Sequence, residues 1–164
     1  MSEIKSGRRI LGVDPGSRAT GYGVIEQAGR RLVFVSCGVI RPDIKKTFSS
    51  RLLEIHSGLS EIIETFRPER MAIEDVFVSI NPGSALKLGH ARGVLLLAAM
   101  QHGLEINEFS ARQVKQAVVG YGQASKEQIQ QVVRVLLNLS ATPSQDAADG
   151  LAIALCCANH VAFS

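Results

Sequence analysis

The chain has 164 residues, 46% of them hydrophobic, with 18 Lys and Arg against 15 Asp and Glu and a formal net charge of +3. That length holds one domain and excludes a second of ordinary size, and with no Trp and only two Tyr the core has to be aliphatic. The mild positive charge fits a nucleic-acid partner without requiring one.

Met1 to Arg9 is short and polar, with no apolar signal core. Ile10 to Val13 reads as a buried strand. Asp14 ends it, and Pro15-Gly16 turns the chain at once. Two readings fit Asp14: a turn-former, as Asp before Pro-Gly commonly is, or a carboxylate facing a cleft, where its charge needs a cation or a donor. Ala19 to Glu26 and Arg31 to Arg41 are strand-like and joined by a turn at Gln27 to Arg30, so the first three strands form an antiparallel meander. Pro42 to Phe48 is a polar connection. Leu52, Ile55, Leu59, Ile62, Ile63 and Phe66 recur at helical spacing, which predicts a helix from about Ser49 to Phe66, ended by Arg67-Pro68.

Arg70 to Val76 reads as the fourth strand, with Glu74 and Asp75 at its end. Phe77 to Gly83 is a loop, and Ser84 to His102 a helix stopped by Gly103. In that helix Ala85, Gly89 and Gly93 stand four residues apart. Such a stripe serves packing within the fold or a subunit contact, since Gly otherwise costs about 1 kcal/mol in a helix interior. Leu95 to Met100 is apolar but too short to span a bilayer, so no membrane partner is expected. Leu104 to Phe109 is a fifth strand. Ser110 caps a helix to Val119, Ser125 with Gln128 forms a capping box for a helix to Leu137, and Ser144 caps the last helix. Gly120 to Lys126 lacks the Gly-Lys-Ser/Thr ending of a phosphate loop. The four histidines are scattered and read as structural or exposed. Cys37, Cys156 and Cys157 have no CxxC spacing and read as reduced, mostly buried thiols of a cytoplasmic protein.

The chemistry lies in the acids. Asp14 and Glu74 or Asp75 end apolar strands, and Asp146 and Asp149 share one face of an otherwise apolar helix. Adjacent strand residues face opposite ways, so only one of Glu74 and Asp75 joins such a cluster. Two explanations compete. A helix macrodipole favours acids in the first turn, which addresses Asp146 and Asp149 but neither strand acid. Alternatively, oxygen-rich acidic clusters are what Mg²⁺ and Mn²⁺ require. Two such ions activate a water and stabilise a leaving oxygen in phosphodiester cleavage.

Five segments in order, GVDPGSRATGYGV (12–24), AIEDVF (72–77), SALKLGHARG (84–93), ARQVKQAVVG (111–120) and DAADGLAIA (146–154), make the chain resemble the RuvC family of bacterial crossover-junction endodeoxyribonucleases, the Holliday-junction resolvases. The resemblance covers nearly the whole chain. It implies an α/β, ribonuclease H-like fold, a five-stranded mixed sheet flanked by helices, as one nuclease domain over residues 1–164. It implies that Asp14, Glu74, Asp146 and Asp149 are both the catalytic residues and the metal ligands, which selects Glu74 over Asp75, for Mg²⁺ with Mn²⁺ substituting and two ions per subunit. Gly150 stands where the family often has Ala, and is expected to loosen the turn that carries Asp149. The resemblance further implies a homodimer that cuts two strands of a four-way junction symmetrically, leaving 5′-phosphate ends, and partnership with the RuvA and RuvB branch-migration proteins.

Lys115 and Lys126 match basic positions near the family's DNA path, and Arg18 follows the first acid. Each is either a phosphate contact or a solvated surface charge, since such contacts need only charge and reach. Phe77 resembles a family aromatic that stacks on unpaired bases, the alternative being a loop aromatic folded onto the core; stacking of that kind is worth about 1–3 kcal/mol per base. Two rival functions use the same fold: a junction-binding module that does not cut, and a ribonuclease H-like RNA-processing nuclease.

Overall fold

The computed structural model describes residues 8–75, 81–120 and 123–161. Five strands and five helices follow along the chain: β1 (Arg8–Asp14), β2 (Thr20–Ala28), β3 (Arg31–Ile40), α1 (Phe48–Phe66), β4 (Arg70–Glu74), α2 (Pro82–Gln101), β5 (Glu105–Phe109), α3 (Ala111–Val119), α4 (Lys126–Leu136) and α5 (Gln145–His160). The strands form one sheet in the order β3-β2-β1-β4-β5. β1 to β3 pair antiparallel, and β4 and β5 run parallel to β1 and to each other. This is the mixed, ribonuclease H-like sheet that the family resemblance implies, and its first three strands are the meander expected from the residue pattern.

Most boundaries fall where the side chains put them. Arg67 closes α1 in the left-handed conformation, with φ 50°. Ser110 with Gln113 and Ser125 with Gln128 both form full capping boxes, so each satisfies two otherwise unpaired helix-end donors. One boundary moves. Asn81-Pro82-Gly83 reads as loop, yet the Asn81 side chain accepts from the Gly83 and Ser84 N–H groups, and Pro82 opens α2. Proline lacks only a donor that the first helical position leaves unpaired in any case.

The period-two alternation of the strands divides the core into two layers. Leu11, Val13, Met71 and Ile73 pack with Ile55, Leu59, Leu95 and Ala98 from α1 and α2. Ile10, Ile25 and Ala72 pack with Val114, Ile129, Leu151 and Ile153 from α3, α4 and α5. The same alternation fixes the acids: Asp14 lies four residues after Ile10 and Glu74 two after Ala72, so both face the α5 side.

α5 is the central helix, buried at every position from Ala147 to Ala158 except Asp149. It reaches the sheet through glycines. A Cβ on Gly12 would collide with the Gly150 carbonyl, one on Gly21 with the backbone of Asp146, and one on Gly23 would stand 2.6 Å from the Leu151 nitrogen. Helix backbone therefore lies directly on strand backbone. Gly150 belongs to this contact, since its own Cβ would stand 2.5 Å from the Tyr22 carbonyl carbon and 2.8 Å from the Gly23 nitrogen. The expectation that Gly150 loosens the helix is thus corrected: it lets α5 seat against β2 and holds Asp149 closer to the strands.

The stripe on α2 is also reassigned. At Gly89 and Gly93 an added Cβ would meet nothing within 4 Å, so these glycines pack against no other element among the described residues. They lie on an exposed face with Leu86, Leu97 and Met100. Among the described residues, no helix is long and apolar enough to cross a membrane.

Candidate active site

Asp14 is the last residue of β1, held in register opposite Gly21 of β2. The turn after it is tied twice. The Thr20 hydroxyl, fully buried, donates to the Gly16 carbonyl at 2.9 Å. Arg51 of α1 donates through Nη2 to the Ser17 carbonyl at 2.8 Å. Glu74 is the last residue of β4, where the Asp75 N–H donates to the Phe109 carbonyl at 2.8 Å. Asp146 and Asp149 sit in the opening turns of α5, which Ser144 caps by accepting from the Ala147 N–H.

These elements converge. One carboxylate oxygen from each of Asp14, Asp146 and Asp149 lies within 4.8 Å of the others. Glu74 stands outside that trio and lines the same cleft as Asp14 and Asp149. Asp75 points the other way and is exposed, with Oδ1 3.9 Å from Arg92 Nη2, as alternation along β4 requires. The macrodipole accounts for Asp146 in the first turn, but not for two strand ends delivering acids to the same point.

Electrostatics set the character of the cluster. Burial, then the hydrogen bond and charge of Glu74, push the Asp14 carboxyl from its ordinary 3.8 up to about 7. Burial and the charge of Asp14 likewise push Asp149 up to about 7, against the pull of Lys126. Carboxylates this close and this dry cannot all ionise without a cation. The donor set at the cluster is carboxylate oxygen throughout, the hard-oxygen chemistry that suits Mg²⁺ or Mn²⁺.

Asp14, Glu74 and Asp149 line a cleft of about 270 Å³ whose far wall is Val114, Lys115, Lys126 and Ile129. Lys115 and Lys126 thus share one opening with the acids. Arg18 is exposed beside the β1–β2 turn and does not line that cleft. Phe77 lies outside the described residues. Arg41, just past β3, was not anticipated: its Nη2 stands 3.9 Å from Asp146 Oδ2, in an exposed pair. Nor was Arg51. Neither carries a periodic signal, since both matter only through contacts between distant segments. Gly12, Gly21 and Gly23 were also passed over, although glycines at alternate strand positions mark a close backbone approach.

Residues 10–157 match the family model for RuvC, crossover junction endodeoxyribonuclease. The chain is 55% identical over 151 residues to the crossover junction endodeoxyribonuclease RuvC of Geobacter sulfurreducens, covering 92% of each. It is 57% identical over 146 residues to that of Cronobacter sakazakii, covering 89% of this chain and 84% of the relative. Among solved structures, T. thermophilus RuvC in complex with Holliday junction substrate matches with a TM-score of 0.86 at 34% identity, over 92% of this chain and 93% of the other.

Proposed function

The chain belongs to the RuvC family of crossover junction endodeoxyribonucleases, and from that premise we propose that it resolves four-way DNA junctions at the carboxylate cleft, with Asp14, Glu74, Asp146 and Asp149 as catalytic metal ligands. The observation that carries this reading is the meeting of three carboxylate oxygens within 4.8 Å, with Glu74 lining the same cleft. Two Mg²⁺ ions, or Mn²⁺ in their place, would supply the Lewis acidity that activates a water and stabilises a departing 3′ oxygen.

The chain's own groups do the rest. The end of β1 fixes Asp14 and the end of β4 fixes Glu74, while α5 brings Asp146 and Asp149 as a rigid pair. Lys115 and Lys126 on the opposite wall hold the phosphates flanking the cut, a role that needs charge and reach. Arg18, outside the cleft, serves a more distant phosphate. Phe77 is the aromatic proposed to stack on an unpaired base.

A four-way junction offers two equivalent strands, so symmetric cutting needs two sites, and we assign the active species as a homodimer. The exposed α2 stripe of Leu86, Gly89, Gly93, Leu97 and Met100 supports this, because its glycines admit a partner backbone and its apolar side chains gain from being covered. RuvA and RuvB are the proposed branch-migration partners, and the cytoplasm the proposed compartment.

The test compares a four-way junction, a linear duplex and an RNA–DNA hybrid, each with Mg²⁺. Nicked duplexes with ligatable 5′-phosphate ends from the junction are expected. A shifted band without products would mark a binding module, and preferential cutting of the hybrid an RNA-processing nuclease.

A further inference from the structure

The Arg92 side chain faces inward from α2, only 17% exposed. It runs to the end of the sheet rather than into the apolar layer. Its Nε donates to the backbone carbonyl of Glu74 at 3.4 Å. Its Nη2 lies 2.9 Å from Glu108 Oε1 on β5 and 3.9 Å from Asp75 Oδ1. One guanidinium therefore spans the last residue of β4, the residue after it, and the neighbouring strand. A guanidinium spreads five donors over a rigid planar fork, whereas a lysine gathers three at one point.

The position matters because β4 ends there. The Asp75 N–H donates to the Phe109 carbonyl, and Arg92 donates to the Glu74 carbonyl. These are the two edges of one planar peptide unit, the one that follows the Glu74 Cα. Holding both edges fixes that plane, and with it the backbone from which the Glu74 side chain projects. Arg92 is itself anchored, since Ala91 and Leu95 beside it on α2 are fully buried. The outer face of the same helix carries the exposed stripe.

We propose that Arg92 is a positioning residue, which aims the Glu74 carboxylate into the cleft by holding its main chain, and which makes that aim depend on how α2 is seated. The assignment rests on Glu74 being a metal ligand. It also places the subunit contact and the Glu74 strap on two faces of one helix, so a partner bearing on α2 acts on the site through a single side chain.

The test uses the full-length protein with Arg92→Gln, Arg92→Lys and, as control, Glu108→Gln, which removes the ion pair and keeps an acceptor for Arg92. Three quantities are read: junction affinity in EDTA, the Mg²⁺ concentration giving half-maximal single-turnover cleavage, and the rise in melting temperature caused by Mn²⁺. For Arg92→Gln we expect junction affinity within about 3-fold of the parent, a half-saturating Mg²⁺ raised about 10-fold, in the range seen when groups orienting a metal ligand are lost, and a smaller Mn²⁺-dependent rise in melting temperature. Arg92→Lys, which keeps the charge but not the fork, should lie between, and Glu108→Gln near the parent. The proposal is overturned if the metal requirement of Arg92→Gln is unchanged, or if Glu108→Gln reproduces its defect in full. Should Arg92→Gln not fold, a parent-like metal requirement in Arg92→Lys overturns it equally. Full-rate cleavage by Glu74→Gln would instead overturn the ligand assignment beneath, whatever Arg92 does.

Discussion

The two faces of the sheet are covered in different ways. On one, α5 lies backbone to backbone on β1 and β2 across Gly12, Gly21, Gly23 and Gly150. On the other, α1 and α2 interdigitate ordinary side chains with Leu11, Val13, Met71 and Ile73, and α2 leaves Leu86, Leu97 and Met100 exposed. At Gly12, Gly21 and Gly150 no flexible side chain stands between helix and strand to absorb a shift. Any movement of α5 is therefore a movement of Asp146 and Asp149. The second face has slack, and it reaches the acids through two arginines, Arg51 to the turn after Asp14 and Arg92 to the end of β4. The contrast teaches where precision is built: two acids ride on the tightly seated helix, and the looser face keeps exposed apolar side chains.

The largest expected effect tests the carboxylate cluster itself. Asp14→Asn should lower junction cleavage about a thousand-fold or more, some 4 kcal/mol of barrier, with junction binding retained in a gel shift. The same variant should be more stable than the parent without metal at pH 8, because it removes one charge from a buried, mutually repelling set. Loss of binding together with cleavage, or a less stable variant, would break the idea that the α5 face trades stability for a cation site.

Next is Gly21→Ala. Its Cβ would collide with the backbone of Asp146, and backbone cannot swing aside as a side-chain tip can. Overpacking of this kind costs about 1–3 kcal/mol, read as a fall in melting temperature of several degrees. The Mg²⁺ requirement for cleavage should rise as well, since Asp146 moves with the helix. A variant of parental stability would show that α5 can shift away from the strands.

This packing marks the limit of what was readable in the sequence. Strand ends are visible because apolar runs stop, so Asp14 and the pair Glu74 and Asp75 stand out by inspection, while the choice of Glu74 comes from the family resemblance. Asp146 and Asp149 share a face by helical spacing, and the first three strands follow from their tight turns, while the mixed five-stranded sheet is implied by the family resemblance. The depth to which α5 sinks is not visible, because it depends on which strand positions face the helix. Helix propensity at Gly150 therefore pointed the wrong way: it describes an isolated helix, whereas this glycine is spent on a neighbour's backbone. Arg41, Arg51 and Arg92 escaped for a related reason, as a single cation has no periodicity and gains meaning only from its tertiary partners.

A smaller effect concerns pH. Asp14 and Asp149 hold folded-state values of about 7 against 3.8 unfolded. A carboxyl raised in this way favours the folded state when protonated. Its contribution is complete below about pH 4 and is lost as pH rises through 7. Metal-free protein should accordingly melt lower at pH 8 than at pH 5, by about 2–4 °C for each kcal/mol lost in a chain of this size. Mg²⁺ should remove most of that fall by neutralising the set, and Asp14→Asn should flatten it. A metal-free melting temperature that climbs steadily from pH 5 to 8 would contradict the mutual repulsion.

The smallest expected change lies on the looser face and discriminates by sign. Gly93 is exposed on α2, with no described atom beyond its own helix within 4 Å of an added Cβ. In a monomer, Gly93→Ala should stabilise the helix by up to about 1 kcal/mol, the difference in propensity. In a dimer whose partner backbone approaches at Gly89 and Gly93, the same methyl stands in the way and weakens association. Sedimentation across a concentration series separates the two, with Leu97→Glu as companion: it puts a charge into the proposed contact while sitting, in the monomer, at a position already half exposed. Weaker association in both variants, with the monomer unfolding no more easily, assigns the stripe to the subunit contact. A more stable Gly93→Ala that associates as the parent does would place the contact elsewhere and leave these glycines without a packing role.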